Sequence, residues 1–408
     1  MRLHINMHIL YHDNKSISRC KFTQLYAFWF HNIDIMSQKS SIKKQSEKII
    51  VFTGGGTGGH VYPNLALINE FEKRGYKAVY VGGKGDTIEN RLARKRGIPY
   101  HGVNTIKFVR SFNFDAIKNN IKIPLTLKKS ITETTELLKE ISPVCVFSKG
   151  GFVSLPVVCA AKKLGLPIFA HESDLTLGLA NNIAANKGAT IFKANPHSTF
   201  KGVFSGMPLR DDLFKTSKID AYSKLSITNP RDKNVLLILG GSSGAKALND
   251  AVIRNLDALT RDFVVLHVFG KDKTVKITHD DYFGFEYADD ISLFYAASDV
   301  VVSRAGATAV FEISALQKRA LFVPLPKGVS RGDQIFNANL AKEYGANVLI
   351  QDDDFERKFV QAVKTAASAP PMKIIANDAN GKIADVVCDT LRRGEKCKNK
   401  KQSPNGLA

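Results

Sequence analysis

The feature that most constrains the fold is a strand, a glycine-rich loop and a helix that follow one another twice along the 408-residue chain. The first copy joins an apolar run at residues 49–52 to the sequence GGGTGGH at residues 54–60. The second joins the run 235–239 to GGSSG at residues 240–244. A glycine loop between a buried strand and a helix is typical of Rossmann-like βαβ units. Two such openings in a chain of this length predict an α/β protein with two Rossmann-like domains that face a cleft.

Apolar runs alternate with amphipathic stretches through both halves. The first half predicts strands at residues 78–81, 144–147, 167–170 and 190–192, with helices at 64–74, 87–96 and 155–164. The second half predicts strands at residues 263–269, 300–303 and 320–324. Short apolar strands separated by helices indicate parallel sheets. A polar, lysine-rich stretch without strand signal separates the halves, so we expect domains at 48–207 and 234–390 joined by a linker at 208–233.

The two ends of the chain differ from the domains. Residues 1–47 mix His, Asn, Lys and isolated aromatics without periodicity, which predicts a disordered extension. Met36 precedes a polar run and then a strong strand, so our hypothesis is that residues 1–35 are not part of the authentic protein. The segment 391–408 is a densely basic tail, and it is interpreted either as a solvated disordered end or as a tether to anionic lipid.

Composition narrows the class of protein. A formal net charge of +20 favours an anionic partner, which could be nucleic acid, an anionic lipid surface or a phosphorylated substrate. The five cysteines show no paired metal-ligand spacing, and Cys145 and Cys159 lie in apolar runs typical of a core in a reducing compartment. No run approaches the ~20 apolar residues of a membrane-spanning helix, and no clean signal peptide precedes the domains.

The first glycine loop ends in His60, which predicts a side chain at the mouth of the cleft that can accept a proton near neutral pH. The alternative is a histidine that only caps the loop. No Lys-Ser or Lys-Thr follows the loop, which argues against a P-loop NTPase. The second strand ends in glycines at residues 82–83 rather than in a ribose-binding acid, which argues against a dinucleotide site.

A second glycine turn, SKGGFVS at residues 148–154, follows another strand of the first half. His171 and Glu172 end a further strand, at the sheet edge where ligands bind in α/β proteins. Adjacent strand residues point to opposite faces, so we expect at most one of these two to face the cleft. The alternative for either side chain is a hydrogen bond to a neighbouring loop.

The second half of the chain also has glycine-rich turns between a strand and a helix. The hydroxyl of Ser242 and free amides at a helix start suit a diphosphate. Ala307 and Thr308 follow a similar turn, and Glu312 lies about one helical turn further on. Its carboxylate either accepts hydrogen bonds from ribose hydroxyls or is an ordinary solvated side chain.

In combination, six motifs resemble the MurG family of UDP-N-acetylglucosamine transferases, which glycosylate a lipid-linked muramyl-pentapeptide precursor. The motifs are GGGTGGH at 54–60, GGFVS at 150–154, HE at 171–172, GGS at 240–242, SRAG at 303–306 with Glu312, and Gln334-x-x-Asn337. The resemblance covers roughly residues 48–389.

The resemblance implies a GT-B glycosyltransferase fold and an inverting transfer of N-acetylglucosamine from UDP-GlcNAc. The acceptor would be the muramyl 4-hydroxyl of undecaprenyl-diphospho-muramoylpentapeptide, in peptidoglycan synthesis. No cofactor and no essential metal are expected. His60 would be the base, with Glu172 as a second catalytic candidate. The implied UDP-GlcNAc site comprises Thr57, Gly58, Gly59, Arg210, Ser242, Ala307, Thr308, Glu312, Gln334 and Asn337.

A lipid acceptor also implies a surface that meets the membrane, in the first of the two domains. Basic and aromatic side chains that suit shallow insertion into an anionic interface are Lys107, Phe108, Arg110, Phe112 and Phe114, and Phe152 is assigned to the acceptor side with them. The alternative is a helix packed on the domain core. We expect a peripheral protein at the cytoplasmic face of the membrane, with no nucleic-acid partner. Cell-wall synthesis complexes are possible further partners.

Three positions depart from the family pattern. Phe152 stands where many relatives have Tyr, Asp174 where many have Asn, and Asp333 where many have His. These departures leave the polar contacts at the three positions open.

Three rival functions remain open at this point. A GT-B diacylglycerol glycosyltransferase would share the fold and loops. A UDP-sugar 2-epimerase would release UDP or epimerised sugar without a lipid acceptor. A basic membrane or nucleic-acid binding module would explain the charge but not the ordered glycine loops.

Overall fold

A computed structural model describes residues 47–105, 123–227, 232–241, 244–270, 275, 277–326 and 332–402. The strands of its first sheet are β1 Ile49–Thr53, β2 Lys77–Gly83, β3 Tyr100–Val103, β4 Cys145–Ser148, β5 Ile168–Glu172, β6 Thr190–Lys193 and β7 Val203–Phe204. The helices between them are α1 Gly58–Lys73, α2 Ile88–Lys95, α3 Ile123–Ile141, α4 Leu155–Lys163 and α5 Leu179–Asn186. The strands are parallel, in the order β3-β2-β1-β4-β5-β6-β7.

The second sheet has the parallel order β10-β9-β8-β11-β12-β13. Its strands are β8 Asn234–Leu239, β9 Phe263–Val268, β10 Tyr282–Phe285, β11 Val300–Ser303, β12 Arg319–Phe322 and β13 Asn347–Val348. The helices of the linker region and of the second domain, together with the C-terminal helix, are α6 Lys218–Lys224, α7 Lys246–Arg254, α8 Leu256–Thr260, α9 Ile291–Ala297, α10 Ala307–Ala315, α11 Asp333–Glu343, α12 Phe355–Ser368 and α13 Ala379–Gln402. Two Rossmann-like domains are therefore confirmed.

Both sheets are covered on two faces, which explains their continuous apolar strands. In β1, Ile50 and Phe52 pack into a core with α1, whereas Val51 packs on the other face against α4. In β8, Leu237 and Leu236 likewise enter separate cores. The central strands of both sheets are thus buried from both sides, and their carboxyl ends are fixed in position.

The strand register brings the glycine loops together. Thr53 at the end of β1 pairs with Ser148 at the end of β4, and Ser148 pairs with Ala170 of β5. In the second sheet, Leu239 at the end of β8 pairs with Ser303 at the end of β11. The loops that follow these strands therefore leave each sheet side by side at its carboxyl edge.

Helix α1 begins at Gly58, six residues before the predicted start at residue 64. Thr57 is its N-cap residue, and Pro63 lies inside the helix. Two glycines and a proline have the lowest helix propensities, so the local pattern did not reveal the first turns. As a consequence, His60 lies in the first turn of a helix rather than in a loop.

The predicted linker, residues 208–233, is folded over much of its length. It contains a 3₁₀ turn, Asp211–Phe214, and helix α6. Leu213, Ala221 and Leu225 are buried in the core of the second domain. The rest of the stretch is polar and lysine-rich, which is why the sequence indicated an interdomain linker.

Helix α13 belongs to the core of the first domain although it follows the second in sequence. Ile383, Ala384, Val387 and Leu391 pack in the same apolar cluster as β1 and α1. The guanidinium of Arg74 lies 2.6 Å from the carboxylate of Asp385. The helix continues to Gln402, past the predicted boundary at residue 390, so residues 391–402 are helical rather than disordered.

Some predictions fall outside the described residues, namely those on residues 1–46, Lys107, Phe108, Arg110, Phe112, Phe114 and Ser242. Cys145 is buried as expected and Cys159 is half-buried. Among the helices that can be described, none combines the length and apolar character needed to cross a membrane.

Candidate active site

A cavity of about 1030 Å³ lies between the carboxyl edges of the two sheets. Its wall in the first domain includes Thr57, Gly58, Gly59, His60, Tyr62, Lys149 and Glu172. Its wall in the second domain includes Gly240, Arg304, Ala307, Thr308, Glu312 and Gln334, and Arg210 lies between the two. Most of the predicted binding residues therefore meet in one place.

Two helix N-termini lie close together in the lining of this cavity. A methyl group built on Gly59, in the first turn of α1, would lie 3.5 Å from the hydroxyl oxygen of Thr308 in the first turn of α10. Neither first turn contains an acidic residue. Unpaired amides and the helix dipole make such termini favourable for anions, so the cleft suits a phosphorylated ligand.

His60 lines the cavity, and one of its ring nitrogens contacts the glycine loop. Its Nδ1 lies 3.2 Å from the carbonyl oxygen of Gly55 and 3.1 Å from the hydroxyl oxygen of Thr57. Its own turn is closed by a bond from the His60 amide to the Thr57 carbonyl, 3.1 Å long. The ring is therefore fixed against the glycine loop and presents itself to the cavity.

The glycine loop is supported from behind by Glu89 of α2, a residue that the sequence analysis did not single out. Its two carboxylate oxygens accept hydrogen bonds from the amides of Gly56 and Gly83, both 3.2 Å long. The side chain is fully buried. A lone glutamate in a polar helix carries no signal of this role, because both partners lie in other elements.

The second glycine turn, residues 150–154, packs against the other side of the first glycine loop. A methyl group on Gly151 would come within 2.8 Å of the Gly55 carbonyl oxygen, and one on Gly56 within 2.9 Å of the Phe152 ring. Both glycines have positive φ angles, +80° and +83°. Phe152 thus packs on the glycine loop and is not among the residues that line the cavity.

His171 and Glu172 point in opposite directions, as predicted. The Nε2 of His171 lies 2.9 Å from the carbonyl oxygen of Gly206, away from the cleft. Burial, reinforced by the charge of Lys149, holds the pKa of His171 well below its usual range. Glu172 is the member of the pair that faces the cavity.

Glu172 is nonetheless engaged by its own loop. One oxygen accepts from the amides of Ser173 and Asp174, at 2.9 and 3.1 Å. The other accepts from the Gly178 amide and the Asn181 side chain, at 2.9 and 3.0 Å. Four donors leave little capacity for a reacting proton, so the geometry places Glu172 as an anchor of the loop after β5, and its catalytic role stays a prediction.

Lys149 is a buried cation in the same wall that the sequence analysis missed. Its ammonium donates to the hydroxyl of Ser173, 2.5 Å away. Burial lowers the pKa of Lys149, and the carboxylates of Glu172 and Asp174 oppose that shift. Asp174, where the sequence departs from the family pattern, therefore interacts electrostatically with a buried lysine.

In the second domain, Glu312 is buried in the cavity wall and is only lightly hydrogen-bonded. Its Oε2 accepts from the hydroxyl of Tyr295, 3.1 Å away. Burial raises the pKa of Glu312 to about 7, against the opposing effect of Arg210. Thr308 lies one turn earlier on α10, so both side chains share one face of the helix.

Arg210 connects the two domains. Its guanidinium lies 4.6 Å from the centre of the Tyr62 ring of α1 and 3.6 Å from the carboxylate of Asp212. The Nε atom is buried, and no residue that the structure describes forms a hydrogen bond with it. Burial raises the pKa of Tyr62 to about 12, so its ring stays neutral beneath the cation. Tyr62 was not predicted, because nothing in its sequence context indicates a contact across the cleft.

The two polar residues of α11 divide between the cavity and the core. Gln334 lines the cavity, and its side-chain oxygen accepts from the Leu325 amide at 3.0 Å. Asn337 is buried and donates to the Ala305 carbonyl at 3.2 Å. Asn337 does not line the cavity. It supports the turn that precedes α10, and its contact with the sugar stays a prediction.

Comparison with known proteins matches both domains to one family. The N-terminal domain model of glycosyltransferase family 28 matches residues 50–193, and the C-terminal domain model matches residues 235–387. A UDP-N-acetylglucosamine–N-acetylmuramyl-(pentapeptide) pyrophosphoryl-undecaprenol N-acetylglucosamine transferase of Lachnospira eligens is 38% identical over 360 residues, which is 85% of this chain and all of that protein. The chain belongs to the MurG family.

Further MurG proteins are also similar to this chain. The enzyme of the same name from Clostridium tetani is 38% identical over 76% of this chain and 87% of its own length. The crystal structure of Acinetobacter baumannii MurG matches with a TM-score of 0.60 and 24% identity, over 84% of this chain and 99% of that one. This structural likeness supports the GT-B fold, and the sequence matches carry the family assignment.

Proposed function

We propose that this chain transfers N-acetylglucosamine from UDP-GlcNAc to the muramyl 4-hydroxyl of undecaprenyl-diphospho-muramoylpentapeptide, with inversion at the anomeric carbon. The observation that supports this best is the cavity itself, with His60 on one wall and Glu312 and the start of α10 on the other. The chain also spans the full length of a relative that carries the name of this reaction.

In the proposed mechanism the second domain holds the donor. Glu312 accepts hydrogen bonds from the ribose hydroxyls, and Gln334 and Thr308 contact the nucleotide sugar. The diphosphate lies at the start of α10, near Arg210. These groups stabilise the negative charge that develops on UDP as it leaves, which needs no metal or cofactor.

The first domain holds the acceptor and supplies the base. His60 takes the proton of the 4-hydroxyl as that oxygen forms its bond to the anomeric carbon, and the bond from that carbon to the diphosphate oxygen breaks. The displacement occurs on the face opposite to the leaving group, so the configuration inverts. The cation of Lys149 contributes positive potential to the acceptor wall.

We also propose a peripheral location at the cytoplasmic face of the membrane. The net charge of +20 supports attraction to anionic lipid, and the aromatic and basic residues from 107 to 114 supply a surface for shallow insertion. Replacing Phe108, Phe112 and Phe114 together by Ser is expected to weaken binding to anionic vesicles while activity on a soluble acceptor is retained. Unchanged vesicle binding by the folded variant would reject this surface.

The function is tested by incubating the protein with radiolabelled UDP-GlcNAc and either the muramyl lipid or diacylglycerol, followed by lipid extraction. Label in the muramyl lipid alone is expected. Label in diacylglycerol would leave the assigned fold unchanged but would identify diacylglycerol as the acceptor. Release of UDP without labelled lipid would indicate a sugar 2-epimerase instead. The variant His60→Ala, which leaves the opposite wall intact, is the matched control for background transfer.

A further inference from the structure

One peptide group in the glycine loop joins two functional side chains. The amide of Gly56 donates to the carboxylate of Glu89 at 3.2 Å. The carbonyl of Gly55, which belongs to the same peptide group, lies 3.2 Å from the Nδ1 of His60. Glu89, the Gly55–Gly56 peptide and His60 therefore form one continuous chain of hydrogen bonds.

This chain determines where the hydrogen of a neutral His60 ring resides. A carbonyl oxygen can only accept, so a hydrogen bond between Gly55 and Nδ1 requires the hydrogen on Nδ1. The hydroxyl of Thr57, 3.1 Å from the same nitrogen, can adjust to that arrangement by accepting. The lone pair of the neutral ring is then on Nε2. The Glu89 carboxylate accepts a hydrogen bond from the amide of this same peptide group. That bond polarises the peptide group and makes the Gly55 carbonyl oxygen a stronger acceptor.

The surrounding residues are shaped to accommodate the carboxylate. A methyl group on Gly55 would lie 2.5 Å from the carboxyl carbon of Glu89, and one on Gly82 would lie 2.8 Å from its Cγ. On the opposite side, Gly151 approaches the Gly55 carbonyl and the His60 ring so closely that a methyl group would lie 2.8 and 3.3 Å from them. The glycines therefore make room for Glu89 and enclose the peptide group that it contacts.

We propose that Glu89 is a positioning residue for the transfer reaction: acting through the Gly55–Gly56 peptide, it holds His60 in the tautomer whose lone pair is on Nε2. This proposal rests on the proposed function, in which His60 is the base. It extends that function by assigning to a buried carboxylate, separated from the histidine by a peptide group, the orienting task that a directly bonded aspartate has in serine hydrolases.

The direct test is the ¹⁵N NMR spectrum of histidine-labelled protein, with the His60 signals identified by their loss in His60→Gln. The wild-type protein is expected to show the neutral ring with its hydrogen on Nδ1. A neutral ring with its hydrogen on Nε2 would overturn the proposal. This measurement needs no change at Glu89, so it stands even if variants at that position fold poorly.

The second test is Glu89→Gln, which replaces one acceptor oxygen by an amide group that faces a backbone N–H. We expect a mixed tautomer signal and a kcat about tenfold lower, with the KM for UDP-GlcNAc unchanged because the donor is held in the other domain. A general loss of folded structure would instead lower the active fraction and leave the tautomer of the remaining folded protein unchanged. A wild-type tautomer together with wild-type kcat would overturn the proposal.

The matched control is Asp299→Asn. Asp299 also accepts a backbone hydrogen bond, from the Val235 amide at 2.9 Å, and it pairs with Lys218 at 2.6 Å outside the cavity. This control is expected to lower stability without changing the His60 tautomer or kcat. Full activity of His60→Ala would remove the base from the proposed function and overturn both proposals, whereas an unaltered Glu89→Gln variant overturns only the role of Glu89.

Discussion

The two walls of the cleft use buried carboxylates in opposite ways. In the first domain, Glu89 accepts two hydrogen bonds and Glu172 accepts four, all from their own domain. In the second domain, Glu312 is also buried, yet among the described residues its carboxylate accepts one hydrogen bond, from Tyr295. A fully hydrogen-bonded carboxylate fixes a loop, whereas an under-bonded one retains capacity for a ligand. The first wall is thus built for rigid positioning and the second for binding.

The pKa values follow the same division. Burial raises the pKa of Glu312 to about 7, since few donors offset the loss of water around its charge. Sites at which burial is not compensated internally are common where a ligand completes the hydrogen bonding. The comparison therefore supports the proposal that the second wall binds the donor and the first wall carries the acceptor chemistry.

The largest expected effect is the loss of the proposed base. His60→Ala should lower kcat by about 10² to 10³, the usual contribution of general base catalysis, with little change in the KM for UDP-GlcNAc. Steady-state kinetics with the lipid acceptor measures both quantities. A raised KM with an unchanged kcat would place His60 in donor binding and break the division between the two walls.

The next effect is on stability, and here the substitution of a buried acid is expected to stabilise the folded protein. The pKa of Glu312 is raised from 4.5 to about 7, so the folded protein binds this proton more tightly than the unfolded chain. The associated cost to stability is absent below pH 4.5, grows as the pH rises to about 7 and is complete above it. Glu312→Gln should therefore increase the free energy of unfolding at pH 8 by up to about 3 kcal/mol.

Denaturant unfolding at several pH values checks this expectation. At pH 4 the variant and the wild-type protein should be nearly equal in stability, and the gap should open between pH 4.5 and 7. A variant that is less stable than the wild type at pH 8 would show that Glu312 is satisfied in the unliganded protein, like the acids of the first wall.

The anchor of the first wall should respond in the opposite direction. Glu172→Gln leaves backbone donors of its loop without a partner, so we expect a loss of about 1–3 kcal/mol in unfolding free energy. Thermal unfolding of the two glutamine variants side by side measures the contrast. Equal stabilisation of both would remove the distinction between anchoring and binding carboxylates.

The smallest effect concerns the contact between the domains. Tyr62→Leu removes the ring beneath Arg210, a cation–π interaction that contributes about 1 kcal/mol. We expect the KM for UDP-GlcNAc to rise a few-fold because Arg210 is less well placed, while Tyr62→Phe stays close to wild type. Identical losses in both variants would point to the hydroxyl rather than the ring.

The sequence predicted the strands and glycine loops well because their signals are local. The runs at residues 49–52 and 300–303 lie within observed strands, since β-branched residues and flanking glycines act over a few positions. Ten of the predicted site residues also line one cavity, namely Thr57, Gly58, Gly59, His60, Glu172, Arg210, Ala307, Thr308, Glu312 and Gln334.

What the sequence did not reveal depends on contacts between distant elements. Glu89 acts on a loop 33 residues away, and Arg210 meets Tyr62 only after the domains come together. The hydrogen bond from the Asn337 side chain to the Ala305 carbonyl was not predicted either. The return of α13 to the first domain was missed for the same reason, because its apolar residues fit a core formed more than 300 residues earlier.

The most direct test of the division between the walls is a calorimetric titration of UDP into His60→Ala and Glu312→Gln. Our account predicts that His60→Ala binds UDP with wild-type affinity and that Glu312→Gln binds it at least tenfold more weakly, the effect of losing a hydrogen bond to a charged group. Equal weakening in both variants, or weakening in His60→Ala alone, would contradict it.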